Sequence, residues 1–222
     1  MGFMDHIRSC NRHQMERFIP FRIDGTVVGC MRPAFAQELR NWPEVFSVTD
    51  GQVDLAVPGT DLEERSSAVA RVLRKLLQRG VLNHLLGEQY GVTSQERPGC
   101  LLLMDRAAAP WFGIRAFGQH LNGYVMLDGE CHMWIARRAA DRMIFPGKLD
   151  HLVAGGLPHG IGLLENLQKE CREEASIDAE LAARATPVGT VSYLAESAAG
   201  LKPDILYCYD LELPAEFRPH CT

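Results

Sequence analysis

Apolar and polar residues alternate from Phe18 to Met31 with Asp24-Gly25 at the centre, which predicts a two-stranded hairpin. The same alternation returns from Val45 to Val57 about Asp50-Gly51. Phe35-Ala36-Gln37-Glu38-Leu39 has the spacing of a short helix, and residues 2–18 read as another, with Phe3, Ile7, Cys10 and Met15 loosely periodic. Thr60 or Asp61 caps a longer helix from Leu62 to Arg79, closed by Gly80, with Val69, Leu73, Leu76 and Leu77 facing a core. Cys100 to Met104 is a short buried strand, and Ala107-Ala108-Ala109-Pro110 marks a boundary. Beyond it, Trp111 to Leu127 reads as extended up to the turn Asp128-Gly129, and Cys131 to Ala136 is the returning strand. Val188 to Leu194 and Ile205 to Leu213 are two further strands, separated by a loop that holds Glu196 and Asp204.

The pattern divides the chain. Residues 1–105 read as a small α+β domain, and residues 106–222 as strands around one strongly amphipathic helix, which suits an α/β/α sandwich. That helix follows the run Ala154-Gly155-Gly156-Leu157-Pro158-His159-Gly160-Ile161-Gly162 and extends from Leu163 to Ile177. Glycines let backbone approach a phosphate closely, and a helix N-terminus favours anions. Leu164, Leu167, Cys171 and Ala175 form the stripe that packs against a sheet. Glu170, Glu173 and Glu174, spaced i, i+3 and i+4, fall within an arc of roughly 100°. Three carboxylates so crowded repel one another unless a cation sits between them. Oxygen-only ligands suit Mg²⁺ or Mn²⁺ rather than zinc. A solvated acidic face is the alternative for any Glu-rich helix alone; the glycine loop ahead of this one favours the metal.

Charge and cysteines narrow the setting. The net charge is −5 with no long basic tract, which argues against general nucleic-acid binding. No apolar run reaches about 18 residues and the N-terminus lacks an apolar signal region, so no membrane span or signal peptide is expected. Seven cysteines without a Cys-x-x-Cys pair read as reduced thiols in the cytoplasm. His6, Cys10 and His13 have no fourth ligand at zinc spacing.

From Gly155 to Ile177 the chain resembles the Nudix hydrolases. Their signature is Gly, five residues, Glu, seven residues, then Arg-Glu-apolar-any-Glu-Glu-any-Gly-apolar. Gly155 and Lys169-Glu170-Cys171-Arg172-Glu173-Glu174-Ala175-Ser176-Ile177 align with it without a gap. Ile161 stands where the signature has Glu, Lys169 where it has Arg, and Ser176 where it has Gly. Lys169 keeps a charge but lacks the bidentate fork, and Glu165 is a substitute i, i+4 partner for it. Ser176 costs little provided the backbone there is not left-handed.

Further runs carry a finer resemblance: His120-Leu-Asn-Gly-Tyr124, Trp134-Ile-Ala-Arg137-Arg138, Pro146-Gly-Lys148-Leu-Asp150, Val191-Ser-Tyr193, Leu201-Lys-Pro-Asp204 and Tyr209-Asp-Leu-Glu-Leu-Pro214. They look like the Nudix subfamily related to fungal thiamine pyrophosphokinase fusions. That resemblance implies a Nudix domain over 106–222 and a companion domain over 1–105. It implies Mg²⁺-dependent (or Mn²⁺-dependent) cleavage of thiamine diphosphate or its oxidised forms to the monophosphate and phosphate. Glu170, Glu173 and Glu174 would be the catalytic, metal-binding residues, with the Gly155 carbonyl a further ligand. Gly155, Gly156, Arg137, Arg138 and Lys148 are candidates for the substrate's phosphates. The general base stays open between a glutamate of the motif and Glu196.

Ile161, Lys169 and Ser176 also keep open a Nudix-shaped binding or regulatory module without turnover; the three retained glutamates favour the enzyme. In the family the sandwich continues past the strand Ile205–Leu213 with another strand and a long helix. The expectation here is a shortened sandwich with Leu206, Tyr207 and Cys208 exposed on a bare sheet face, and hence self-association.

Overall fold

The first helix, α1 (Phe3–Cys10), is shorter than the pattern over residues 2–18 suggests and buries none of its residues. A turn of 3-10 helix, Met15–Arg17, follows separately. The hairpin at Asp24-Gly25 is present, with β1 (Ile19–Ile23) antiparallel to β2 (Thr26–Met31). Asp24 and Gly25 take φ of 49° and 78°, the two positive values that a tight hairpin turn of matching twist requires. After α2 (Pro33–Leu39), β3 (Phe46–Val48) and β4 (Val53–Leu55) form the second hairpin. β4 lies parallel to β1, giving the order β2-β1-β4-β3. The Asp61 carboxylate caps α3 (Leu62–Gln78) by accepting the Glu64 N–H at 2.7 Å. The face of α3 carrying Val69, Val72, Leu73 and Leu76 is buried. β5 (Gln89–Thr93) pairs antiparallel with β6 (Cys100–Asp105). α4 (Ala109–Phe112) occupies part of the stretch expected to be extended, because Phe112 turns inward onto Phe21, Phe35 and Phe46.

The computed structural model describes residues 2–94, 97, 99–141 and 145–220, which fall into two compact units. One is Met1–Ala116 with Ser192–Asp204; the other is Phe117–Val191 with Ile205–Thr222. The first unit runs past the boundary expected at 105, because Ala108, Ala109, Phe112 and Ile114 belong to its core.

In the second unit β7 (Ala116–Leu127) turns at Asp128 and Gly129, with φ of 50° and 83°, into β8 (Glu130–Met133). β9 (Ala136–Arg137) and β10 (Leu149–Asp150) make a short antiparallel ribbon. β11 (Val153–Gly156) carries the first glycines and α5 (Leu163–Ala175) is the glutamate helix. A single turn, α6 (Ala179–Ala182), leads to the hairpin of β12 (Thr186–Glu196) and β13 (Leu201–Glu212). The sheet runs β11-β7-β13-β12, with β8 also on β7. One face packs with α5: Leu121, Val125, Tyr209 and Leu211 meet Leu167, Cys171 and Ala175.

The mixed α/β class expected from the pattern is therefore present. Among the described residues of this unit no second long helix occurs. Leu206, Tyr207 and Cys208 are nonetheless half-buried rather than exposed, and Tyr207 stacks on Phe117 at 6.3 Å. The exposed apolar side chains of that hairpin are Val188 and Val191, on the edge strand β12.

Candidate functional site

Gly162 is the N-cap of α5, whose inward side is Asn166, Leu167, Cys171 and Ala175, all fully buried or nearly so. Leu164, expected in that stripe, is 52% exposed; Asn166 takes the inward position instead. At 100° per residue, a face centred there carries Glu170 and Glu174 along its flank and turns Glu173 outward. Glu170 lies against β11 at Gly155, where a Cβ would come within 2.4 Å of its Cδ, so glycine is what admits the carboxylate. Glu174 Oε2 accepts the Ala154 N–H at 2.7 Å. Glu173 stays half exposed.

Lys169 does not pair with Glu165. Its Nζ lies 2.9 Å from Glu170 Oε1 and 3.3 Å from Glu173 Oε2, and the hydrogen bond to Glu170 raises its pKa first of all. Burial, then the Glu174 and Glu170 carboxylates, push the Cys171 thiol up to about 12, so it remains neutral.

The three glutamates do not form one cluster. Among the described residues, no group of three His, Cys, Asp or Glu side chains is placed to hold an ion. What the fold does assemble is Glu170 and Glu174 side by side against β11, with the Lys169 ammonium between Glu170 and Glu173. Carboxylate oxygens gathered in this way suit a hard divalent cation.

The Gly155 carbonyl is not a ligand in this arrangement. Leu157 N–H donates to the Phe117 carbonyl at 2.9 Å, which makes Leu157, Gly155 and Val153 the residues that bond to β7. Ala154, one step out of that phase, directs both its N–H and its carbonyl to the open edge beside Glu174. The backbone oxygen available there is therefore that of Ala154.

Comparison with known proteins adds the family. The family described as "Domain of unknown function (DUF4743)" matches residues 2–116, just over half of the chain. The chain belongs to that family. The match ends at Ala116, where the first run of the first unit also ends. Two Arabidopsis thaliana proteins, named Nudix hydrolase 24, chloroplastic, and Nudix hydrolase 20, chloroplastic, are each 42% identical to it. The alignments run over 222 and 229 residues and cover 98% of this chain. The chain spans 61% of the length of each. These names support the resemblance to Nudix hydrolases, which generally use divalent cations. They overturn the cytoplasmic expectation, since both relatives are named chloroplastic. Among solved structures, DR0079 from Deinococcus radiodurans aligns with 60% of this chain and 77% of its own. At 22% identity and a TM-score of 0.42, that likeness decides nothing.

The remaining candidates are placed as follows. Arg137 Nη1 donates to the Gly147 carbonyl at 2.8 Å, and Arg138 Nη1 to Asp150 Oδ2 at 2.8 Å, both within the β9–β10 ribbon. A hydrogen bond from His151, and then Arg138, hold the Asp150 carboxyl well below the usual range against the opposing effect of burial. Lys148 is exposed. Gly156 directs its carbonyl to Asn166 Nδ2 at 3.0 Å.

Glu196, the alternative base, is engaged with cations. It belongs to the first unit, where Arg32 Nη2 lies at 2.8 Å, Arg17 Nη1 at 3.6 Å, and the Gln14 N–H donates to it at 3.3 Å. Sequence reasoning missed Ala154, Gln119 and Asn166. Alternation gives a signal for Gln119, which shares its strand face with Phe117 and Leu121.

Proposed function

We propose that the second unit cleaves a diphosphate linkage with the help of a divalent cation. Its substrate would be thiamine diphosphate or an oxidised form of it, and its products the monophosphate and phosphate. The observation that carries this reading is the placing of Glu170 and Glu174 together against the bare Gly155 backbone. Those two carboxylates and the outward Ala154 carbonyl would hold Mg²⁺ or Mn²⁺, with Glu173 at the margin. Such an ion supplies charge stabilisation at a phosphoryl oxygen and a water made more acidic. The chain's own part is to bind and orient. Main-chain N–H groups of residues 159, 160, 162 and 163, at the N-terminus of α5, would receive phosphate oxygens, while Lys148 adds an exposed positive charge. Glu173, half exposed and next to Lys169, is placed to take a proton from water.

The thiamine part rests on the finer sequence resemblance. A second reading, a module that binds without turnover, is favoured by one observation: the Lys169 ammonium sits between Glu170 and Glu173.

Phosphate release measured over a panel of diphosphates, with Mg²⁺, with Mn²⁺ and with chelator, separates the two. Cation-dependent release from thiamine diphosphate or its oxidised forms is expected. Release from none of the panel, with the melting temperature still raised by the cation, would leave the binding module.

A further inference from the structure

We propose that the buried amide pair Gln119–Asn166 is a latch that fixes the span of the glycine loop and thereby its affinity for phosphate; this rests on the reading of that loop as the phosphate site. Gln119 is 1% exposed and Asn166 fully buried. Asn166 Nδ2 donates to the Gly156 carbonyl at 3.0 Å and to Gln119 Oε1 at 2.7 Å. Gln119 Nε2 donates to the Leu163 carbonyl at 2.8 Å and lies 3.3 Å from the Tyr209 hydroxyl. Gly156 is the last residue of β11 and Leu163 the first of α5. The two ends of the loop are thus held by two side chains bonded to each other.

The orientation of both amides is forced. A carbonyl only accepts, so Nδ2 must face Gly156 and Nε2 must face Leu163, and Gln119 Oε1 is left to receive the second Nδ2 hydrogen. This leaves Asn166 Oδ1 buried without a partner among the described residues. A buried acceptor left so is unfavourable, and partly satisfied polar networks serve a core less well than apolar side chains. Core stability is therefore not what this pair chiefly supplies. What it supplies is a fixed separation of Gly156 and Leu163. Between them the chain passes through exposed His159 and through Gly160 at φ +83°. A loop with preset ends loses less freedom when its N–H groups converge on an anion.

The test uses the full chain and the variant Gln119→Met, which keeps the shape and removes the donor. Asn166→Asp, equal in shape but without Nδ2, carries the same test should Gln119→Met not fold. Three quantities are read: amide hydrogen exchange of residues 159–163, thermal melting, and KM and kcat for cation-dependent phosphate release. The expected result is exchange of the loop amides about tenfold faster, with α5 and β7 core amides unchanged and melting within a few degrees. KM should rise by about tenfold while kcat stays within about threefold. Loop exchange equal to the parent's overturns the latch, as does exchange that rises equally in loop and core with a large drop in melting temperature. If the parent releases no phosphate, the hydrolase reading fails, and loop exchange with and without inorganic pyrophosphate still decides the latch.

Discussion

Two groups of carboxylates, both readable in the sequence as catalytic candidates, sit in opposite electrostatic settings. In the first unit Glu196 stands alone against the guanidiniums of Arg32 and Arg17 and also accepts the Gln14 N–H. Its own N–H donates to the Arg12 carbonyl at 2.8 Å, and the neighbouring Leu194 is bonded on both sides, to Asn11 and His13. Glu196 is a fastener: it ties the end of β12 to residues 11–17, and its charge is fully answered. On α5 the ratio is reversed, with two carboxylates, Glu170 and Glu173, sharing one ammonium, and Glu174 accepting the Ala154 N–H. A carboxylate saturated with cations holds structure. Carboxylates gathered on one helix face beside a strand edge can draw a cation from solution and work on a substrate.

The largest expected effect comes from removing charge on each side. Glu174→Gln should lower kcat/KM at least about 100-fold, equivalent to ~2.7 kcal/mol of transition-state stabilisation. Its melting temperature without metal should hold or rise, since carboxylate repulsion on α5 is relieved. Glu196→Gln should do the reverse, leaving kcat/KM within about twofold and lowering the melting temperature by a few degrees. Steady-state kinetics and thermal melts of the two variants side by side check this. A Glu196→Gln enzyme as impaired as Glu174→Gln would return Glu196 to the catalytic site.

Adding the cation sharpens the same contrast. Titrating Mg²⁺ into chelator-treated protein should raise the melting temperature by several degrees, because a ligand at 100 times its Kd stabilises by about 2.7 kcal/mol. Glu196→Gln should keep that rise, and Glu170→Gln should lose it. An equal rise in all three proteins would place the cation elsewhere.

His120 is a third kind of ionisable group, one whose charge the fold suppresses. Burial, then the charge of the His151 ring tilted against it at 4.3 Å, bring its pKa down to about 4, against an ordinary value of about 6.5. Below about pH 6.5 the unfolded chain gains a proton that the folded chain refuses until about pH 4. The contribution is therefore full above about 6.5, declines as pH falls to about 4, and then levels off. Asp150, also depressed, loses its contribution only below about pH 4, where unfolded carboxylates protonate. A pH series of melts should show the upper slope in the parent and not in His120→Gln.

Much of the fold was legible. Asp24-Gly25 and Asp128-Gly129 announced their hairpins because few other residues tolerate two successive positive φ values. The caps of α3 were plain for a similar local reason. Phe112 was not, since its turn into an aromatic cluster depends on residues some 70 to 90 positions earlier. At the site, helical spacing put Glu170, Glu173 and Glu174 on one arc but could not tell how that arc is turned relative to β11. Leu164 was misplaced because Asn166, polar by type, takes the buried face instead. Nothing local to Glu196 reveals that Arg17 and Arg32 reach it. The alternation of the β7 ladder decided between Gly155 and Ala154, and that phase depends on pairing partners rather than on the glycine motif.

The smallest effect concerns the far end of α5, where Ser176 replaces the signature glycine. The condition for a cheap replacement is not met: Ser176 is left-handed, with φ 54° and ψ 31°. For a residue with a Cβ this costs roughly 1 kcal/mol. Against it, Ser176 Oγ donates to the His220 carbonyl at 2.9 Å, and the His220 N–H donates to the Ala175 carbonyl at 3.3 Å. An exposed hydrogen bond of this kind returns about 0.5 kcal/mol. Ser176→Gly removes the strain and the side-chain bond together, so it should stabilise by roughly 0.5 kcal/mol. Ser176→Ala keeps the strain and loses the bond, so it should destabilise by a similar amount. Neither should change kcat/KM by more than about twofold, because the strain sits beyond Glu174. Urea titration of the three proteins resolves the differences. Glycine falling below alanine would mean that contact with residues 217–220, rather than backbone conformation, governs the end of the helix.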